Sequence, residues 1–308
     1  MSTPTAHVVL GGNGVIGRET LSALIAAGER PSSVGRRPSA VDGTHSVTAD
    51  LLNAAEVSRA LRGAEVAYLT AGLPYSSRVW AERWPVVLDN TIAAAKEHGV
   101  HLVYLDNVYA YGLVDGAMTE HTPLAPRSKK GEVRAAAVRC IDDARADGLS
   151  VTIGRSADFY GPSANTSVFN TFALDKIAVG ARPTWLFDAD QPHSLTYTPD
   201  IGRALALLGT NPAARGGTWH LPTAPALTGR EYIEIAAGPG VRTAVMGSAT
   251  MRMGALFASA ARESLEMAYQ NTRPYLFDSR ALETAFGMTA TPTNQGIAAT
   301  LAHRRAQS

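Results

Sequence analysis

The chain has 308 residues, 45% apolar and 18% charged, with a formal net charge of +1. That is enough apolar material for one large α/β domain with a smaller lobe, and the balanced charge offers no basic field for nucleic acid or an anionic membrane surface. A single cysteine, Cys140, cannot form an intrachain disulfide, and the eight histidines show no metal spacing, His98 and His101 being split by Gly99. No apolar run reaches the ~18–20 residues that span a bilayer, and no basic region precedes the first apolar run, so a cytoplasmic protein is expected.

Strand and helix patterns alternate from the start. His7 to Leu10 is a short apolar run that ends in glycines. A helix is predicted over 14–28, with Ile16, Leu21, Leu24 and Ile25 on one face and Gly28 as its stop. Strands follow around 32–35 and 46–48, then a helix over 52–61 with Val57 and Leu61 turned inward. A fourth strand over 65–70, a long helix over 80–98 closed by Gly99, and a fifth strand over 100–105 come next. A helix over 131–146 and a sixth strand over 149–154 complete the series. Strands separated by helices of this length make right-handed βαβ units. The fold class expected is therefore α/β, a doubly wound parallel Rossmann sheet, and the short apolar strands suit a sheet covered on both faces.

After Gly161-Pro162 the rhythm breaks. Residues 194–208 and 218–221 look like returns to the sheet. This divides the chain into a dinucleotide-binding core, 1–162 with 191–224, and a discontinuous substrate lobe, 163–190 with 225–308.

The loop Gly11-Gly12-Asn13-Gly14-Val15-Ile16-Gly17 lies between the first strand and the first helix. Glycine serves there because the turn is tight, the backbone must approach a pyrophosphate, and the helix must pack closely on the sheet. The N–H groups of the helix start then face the negative charge. The second strand ends in Arg36-Arg37, where an acidic residue would accept the ribose 2′-hydroxyl of NAD. Two guanidinium groups suit a 2′-phosphate instead, which points to NADP(H). Asp50-Leu51 follows the third strand, where the acid could meet the adenine amino group or cap the next helix.

These motifs resemble the extended or atypical branch of the short-chain dehydrogenase/reductases, the NAD-dependent epimerase/dehydratase family, over nearly the whole chain. Ala71-Gly72 matches the strand end near the nicotinamide ribose, and Leu102 to Gly112 (LVYLDNVYAYG) resembles the fifth strand running into Val-Tyr-Gly. Glu120, Pro123 and Pro126 fit the stretch before the catalytic helix, and Tyr197 to Ile201 resembles a later aromatic-plus-Asp segment. Arg155 to Pro162 (RSADFYGP) resembles the sixth-strand end, which puts Ala157 and Phe159 beside the cofactor.

The departure lies in the chemistry. The resemblance implies Tyr-x-x-x-Lys, but counting from Pro126 puts Lys130 at the tyrosine position and Arg134 at the lysine position, and Asn107 replaces the helper Ser/Thr. A general acid contributes about 10²–10⁴-fold, so another proton source is needed: a side chain (Tyr109, Tyr111, Tyr160, Lys130 or His193), ordered water, or a substrate hydroxyl beside the ketone. Lys130, at the start of an exposed helix, is expected to be solvated and not the donor. Asn107, Tyr109, Tyr160 and Arg134 are the catalytic candidates, with Asn107 and Arg134 also placed at the cofactor.

The resemblance extends to the atypical ketoreductases of aromatic polyketide antibiotic pathways, simocyclinone among them. It implies an NADPH-dependent ketoreductase for a small aromatic substrate, monomeric or homodimeric. Tyr75, Trp80, Trp84, Phe159, Tyr160, Trp185 and Phe187 supply rings for a flat apolar ligand. The alternatives are a nucleotide-sugar epimerase or dehydratase, whose diphosphate Arg155 and Arg182 could partly meet, and a non-catalytic NADP(H)-binding sensor.

Overall fold

A computed structural model describes residues 7–307. Nine strands and nine helices suffice to place the site. The first half comprises β1 (His7–Leu10), α1 (Val15–Ala26), β2 (Ser32–Gly35), β3 (His45–Thr48), α2 (Ala54–Leu61), β4 (Val66–Leu69), α3 (Ser77–His98), β5 (His101–Asn107) and α4 (Lys129–Ala146). The second comprises β6 (Val151–Ser156), β7 (Asp158–Tyr160), β8 (Leu195–Tyr197), α5 (Thr198–Thr210), β9 (Thr218–His220), α6 (Gly229–Ala237), α7 (Ser259–Leu265), α8 (Arg280–Phe286) and α9 (Thr293–Arg305).

Seven strands form one sheet in the order β9-β6-β5-β4-β1-β2-β3, and every neighbouring pair is parallel. Val8 pairs with Ser32 on one side and Ala67 on the other, so the strand order reverses at β1. A crevice at the C-terminal ends of β1 and β4 is the usual ligand position in such a sheet. Alternate residues feed two cores. Val8, Leu10, Leu102 and Tyr104 pack under α2, α3 and α4, while Val9, Tyr68 and Val103 pack under α1 and α5. Each large apolar side chain so buried contributes roughly 1.5–3 kcal/mol. The close crossing of α5 over α1 depends on Gly202, where a Cβ would lie 2.4 Å from the Glu19 carbonyl carbon.

A third cluster, with Tyr160, Phe169, Trp185, Tyr232, Ile233 and Leu301 among its members, is the core of the second lobe. The lobe boundaries differ from expectation in two ways. β8 does not rejoin the main sheet but pairs with β7 in a separate ladder, and only β9 returns to the sheet edge, beside β6. Within the stretch assigned to the lobe, Leu282, Phe286 and Met288 pack back into the dinucleotide core, because α8 lies against β9. No helix among the described residues is long and apolar enough to cross a membrane.

Candidate active site

The glycine loop is a cradle that side chains would fill. A Cβ on Gly11 (φ +90°) would lie 2.5 Å from the Ala71 Cα, and one on Gly17 would lie 2.3 Å from the Gly11 carbonyl oxygen. Gly14 caps α1 without a side-chain hydrogen bond, and the first turn carries no acidic residue. The first N–H groups of α1 are thus free for an anion. Asn13 looks away from this cradle: its amide donates to the Arg37 and Pro38 carbonyls and accepts from the Ala40 N–H. It thereby shapes the loop that carries Arg36 and Arg37, both exposed and with no side-chain partner among the described residues. Val15 and Ile16 open the helix, and Ile16 is buried against the sheet.

Asp50 does not cap α2. Asn53 does, because its side chain reaches the Ala55 and Glu56 N–H groups, whereas one Asp50 carboxylate oxygen accepts from the Leu52 N–H. Leu51 is half-buried and its carbonyl accepts from Asn90. Ala71 is half-buried against Gly11, Gly72 is exposed, Ala157 is buried and Phe159 half-buried.

At the end of β5, the Asn107 carboxamide oxygen accepts from the Tyr109 N–H at 3.0 Å and holds the short helical turn Val108–Tyr111. The two tyrosines of that turn diverge. Tyr111 is core: its hydroxyl accepts from Arg155 at 2.6 Å and donates to His220 Nε2 at 2.7 Å. Tyr109 stacks on Trp80 at 6.1 Å and its hydroxyl lies 3.4 Å from that of Tyr75. Burial, then the neighbouring Tyr75 and Asp158, push the Tyr109 phenol well above its ordinary range. That is the opposite of the tuning a general acid needs near neutrality.

One expectation about α4 fails here. Lys130 is not solvated: it is fully buried, its ammonium held by the Glu263 and Glu266 carboxylates and lying 4.5 Å from the centre of the Tyr75 ring. The glutamates come from α7 and the residues just after it, 133 and 136 positions away, where no helix periodicity near Lys130 reveals them. Glu263 also accepts from the Ser77 N–H and Glu266 from the Lys130 N–H, so this strap ties itself to the first turns of both α3 and α4. Burial alone would raise the Glu263 carboxyl, but its bonds from Lys130 and Ser77 hold it below the usual range. Arg134 is buried as well. It donates to Asp106 at 2.9 Å and to the Leu105 carbonyl, lies 4.7 Å from the centre of the Trp84 ring, and keeps one buried Nη1 without a partner. Asp106 also binds Arg155 at 2.9 Å, so neither arginine is free for a diphosphate. Arg182 is bonded to the backbone of Arg242 and Thr243.

Tyr160 is corrected outright. It is buried in the second lobe against Phe169 and Tyr197, and its hydroxyl fills the space above Gly296. Trp185 belongs to the same core, and Phe187 packs under the strap with Leu186 and Met251. The rings left at the seam between the lobes are those of Tyr75, Trp80, Tyr109 and Tyr275. There β7 brings Asp158, one-third exposed, to His193 Nε2 at 3.0 Å, and the Tyr275 ring stacks on the imidazole at 4.3 Å. Asp158 lies in the RSADFYGP run. An acid one residue from the expected nicotinamide contact was the signal available. No group of metal-binding side chains occurs among the described residues. A pocket of about 760 Å³ lies between α3 and α4, lined by residues such as Trp84, Leu88, Val133 and Cys140 and by none of the glycine loop.

A parallel Rossmann sheet with a glycine cradle at its reversal point is the architecture of a nucleotide-cofactor-binding protein. Residues 7–221 match the family model described as NAD dependent epimerase/dehydratase, and the chain belongs to that family. No curated protein matches it. Among solved structures it is similar to MoeE5 in complex with UDP-glucose and NAD, at 24% identity over 99% of this chain and 100% of that one, TM-score 0.79. It is also similar to a DesIV double mutant (dTDP-glucose 4,6-dehydratase) from Streptomyces venezuelae with NAD bound, at 21% identity over 97% and 96%, TM-score 0.78. A third is the UDP-glucose 4-epimerase of Thermus thermophilus in complex with NAD, at 20% identity over 99% and 100%, TM-score 0.77. At these identities the likeness is one of fold.

Proposed function

We propose that this chain is an NADPH-dependent ketoreductase for a small aromatic, polyketide-type ketone, and that it works without the family tyrosine. The observation that carries the reading is the fate of Lys130, which takes the tyrosine's place and is committed to Glu263 and Glu266. Epimerases and dehydratases need a base that removes and returns protons at that position. The cations that α4 and β6 bring near the seam, Lys130, Arg134 and Arg155, are each matched by buried or half-buried carboxylates, which leaves little to hold a nucleotide diphosphate.

Bound NADPH would supply the hydride that converts the carbonyl carbon to an alcohol. The free N–H groups of α1 would hold its pyrophosphate, and Arg36 with Arg37 its 2′-phosphate. The Asn107 amide nitrogen has no hydrogen-bond partner among the described residues and would orient the carbonyl oxygen, with Arg134 behind the ribose side of the site. Positioning alone is a large contribution to rate. The substrate hydroxyl beside the ketone then passes its proton to the new alkoxide and is itself reprotonated from water, since the phenol of Tyr109 is held above its ordinary range, by burial first.

The test is NADPH oxidation with 8-hydroxy-1-tetralone and its methyl ether, set against product analysis after incubation with UDP-glucose and dTDP-glucose and bound or added cofactor, since epimerisation or dehydration of those sugars consumes no cofactor. NADPH should bind more tightly than NADH, and Arg36→Ala with Arg37→Ala should erase the difference. At saturation the ether should turn over more slowly by ~10²-fold or more if the hydroxyl replaces a general acid. Single substitutions of Tyr109, Tyr111, Tyr160 and His193 should each leave measurable turnover. Equal affinity for the two cofactors, or turnover confined to the nucleotide sugars, would sink the reading.

A further inference from the structure

We propose that Asp158 is the specificity-determining group of the seam, its carboxylate accepting a hydrogen bond from a ring hydroxyl of the substrate, with His193 and Tyr275 as positioning residues behind it. This rests on the reductase reading and narrows its substrate class to hydroxylated aryl ketones.

The residue is held at three points, one on its carboxylate and two on its backbone. His193 Nε2 lies 3.0 Å from Oδ2, the Asp158 N–H donates to the Tyr275 hydroxyl at 3.2 Å, and β7 is registered on β8 with Asp158 opposite Leu195. His193 is itself buried under the Tyr275 ring, and its carbonyl accepts from the buried Tyr232 hydroxyl. The support is therefore dry and rigid while the carboxylate is not: the Asp158 side chain is 34% exposed against 5% for His193. Oδ1 accepts no hydrogen bond among the described residues. Asp158 also faces the rings that close the seam, since after burial its charge is among the causes that raise the phenols of Tyr75, Tyr109, Tyr269 and Tyr275. A free carboxylate oxygen among aromatic rings accepts a hydroxyl by a charge-assisted bond and repels phosphate.

The probes are 5-, 6- and 7-hydroxy-1-tetralone, each against its methyl ether, with binding measured by calorimetry on the NADP⁺-loaded protein. At least one hydroxyl isomer should bind about tenfold or more tightly than its ether, the ratio expected of one charge-assisted bond. Asp158→Asn and Asp158→Ser should bring that ratio within about twofold while NADP⁺ affinity and melting temperature hold, and His193→Gln should give an intermediate ratio. A merely structural role would not move this ratio. No preference in the wild type, or one that survives both Asp158 variants, overturns the proposal, and continued reduction of the ketones would leave the reductase reading standing. A preference that depends on Asp158 without any NADPH oxidation would uphold the site and retire the reductase reading. Tight binding of UDP-glucose to the wild type overturns both.

Discussion

Two ion clusters sit one helical turn apart on α4, built with opposite stoichiometry. Around Asp106 one buried carboxylate holds the two guanidiniums of Arg134 and Arg155. Around Lys130 one buried ammonium holds two carboxylates. Positions 130 and 134 share a helix face, so the same helix presents both. The first cluster draws only on β5, β6 and α4, all within the dinucleotide core. The second joins α4 to a strap whose glutamates lie 133 and 136 positions from Lys130 and keep 17% and 19% of their side-chain surface exposed. The first cluster is therefore expected to come apart only with the core, and the second to act as a latch that opens locally.

The largest effect should come from breaking the first cluster. Asp106→Asn would leave two buried guanidiniums with no countercharge, and losing one partner of a buried pair costs roughly 3–5 kcal/mol. Denaturant unfolding should show the midpoint falling with the slope unchanged. A loss under about 1 kcal/mol would mean that the arginines find water, and that the two clusters do not differ in kind.

Acid should separate the clusters next. His220 accepts from Tyr111 and donates Nδ1–H to the Asp278 carbonyl, and burial holds its pKa down to about 3. His101, bonded to Ser150, is held down to about 4, by burial first and then by Arg215. Both are neutral when folded, whereas in the unfolded chain they titrate near 6.5. The unfolded state therefore binds more protons below that value. Stability is lost as pH falls from about 6.5 towards about 4 for His101 and about 3 for His220. At pH 5 the loss is about 2 kcal/mol for each. Both histidines belong to the dinucleotide core, and His220 is joined to the Arg155 side of the first cluster. Equilibrium unfolding at pH 8 and pH 5 should show the loss, and His220→Gln should remove about half of it.

Third in size is Lys130→Ala. It strands two carboxylates, but the strap can lift and hydrate them, so the global loss should be about 1–2 kcal/mol, below the range for a fully buried pair. The signature is local: amide exchange over residues 248–270 should quicken, while kcat stays within roughly tenfold, less than a general acid is worth. A thousandfold fall in kcat with cofactor binding intact would make Lys130 the proton donor and the latch incidental.

The two clusters also mark where a sequence is legible. Gly11, Gly14 and Gly17 declare themselves because one local turn needs all of them, and the alternation of strand and helix up to Ser156 follows from short-range periodicity. Arg134 and Arg155 were visible as residues but not as partners of Asp106, because β5, β6 and α4 meet only in the folded sheet. Lys130 looked solvated because its own helix offers nothing to bury it. The burial comes from Glu263 and Glu266, across a lobe where no period links position to partner. Tyr160 was misplaced for the same reason: it lies in a motif run associated with the cofactor side, yet β7 pairs with β8 and turns its ring into the second lobe.

The smallest effect tests what else holds the latch. Tyr75 contacts Lys130 through its ring face at 4.5 Å from the centroid and Tyr109 through a long hydroxyl contact of 3.4 Å. If the ring is what matters, Tyr75→Phe keeps the cation–π contact and loses only a weak hydrogen bond, so stability should fall by no more than about 0.5–1 kcal/mol. Exchange over the strap should stay as slow as in the wild type. Tyr75→Ala removes the ring as well and should bring strap exchange part of the way towards that of Lys130→Ala. If Phe and Ala behave alike, the hydroxyl pair is the relevant contact. Lys130 would then be held by its two glutamates alone, and the comparison with Asp106 would reduce to charge and exposure.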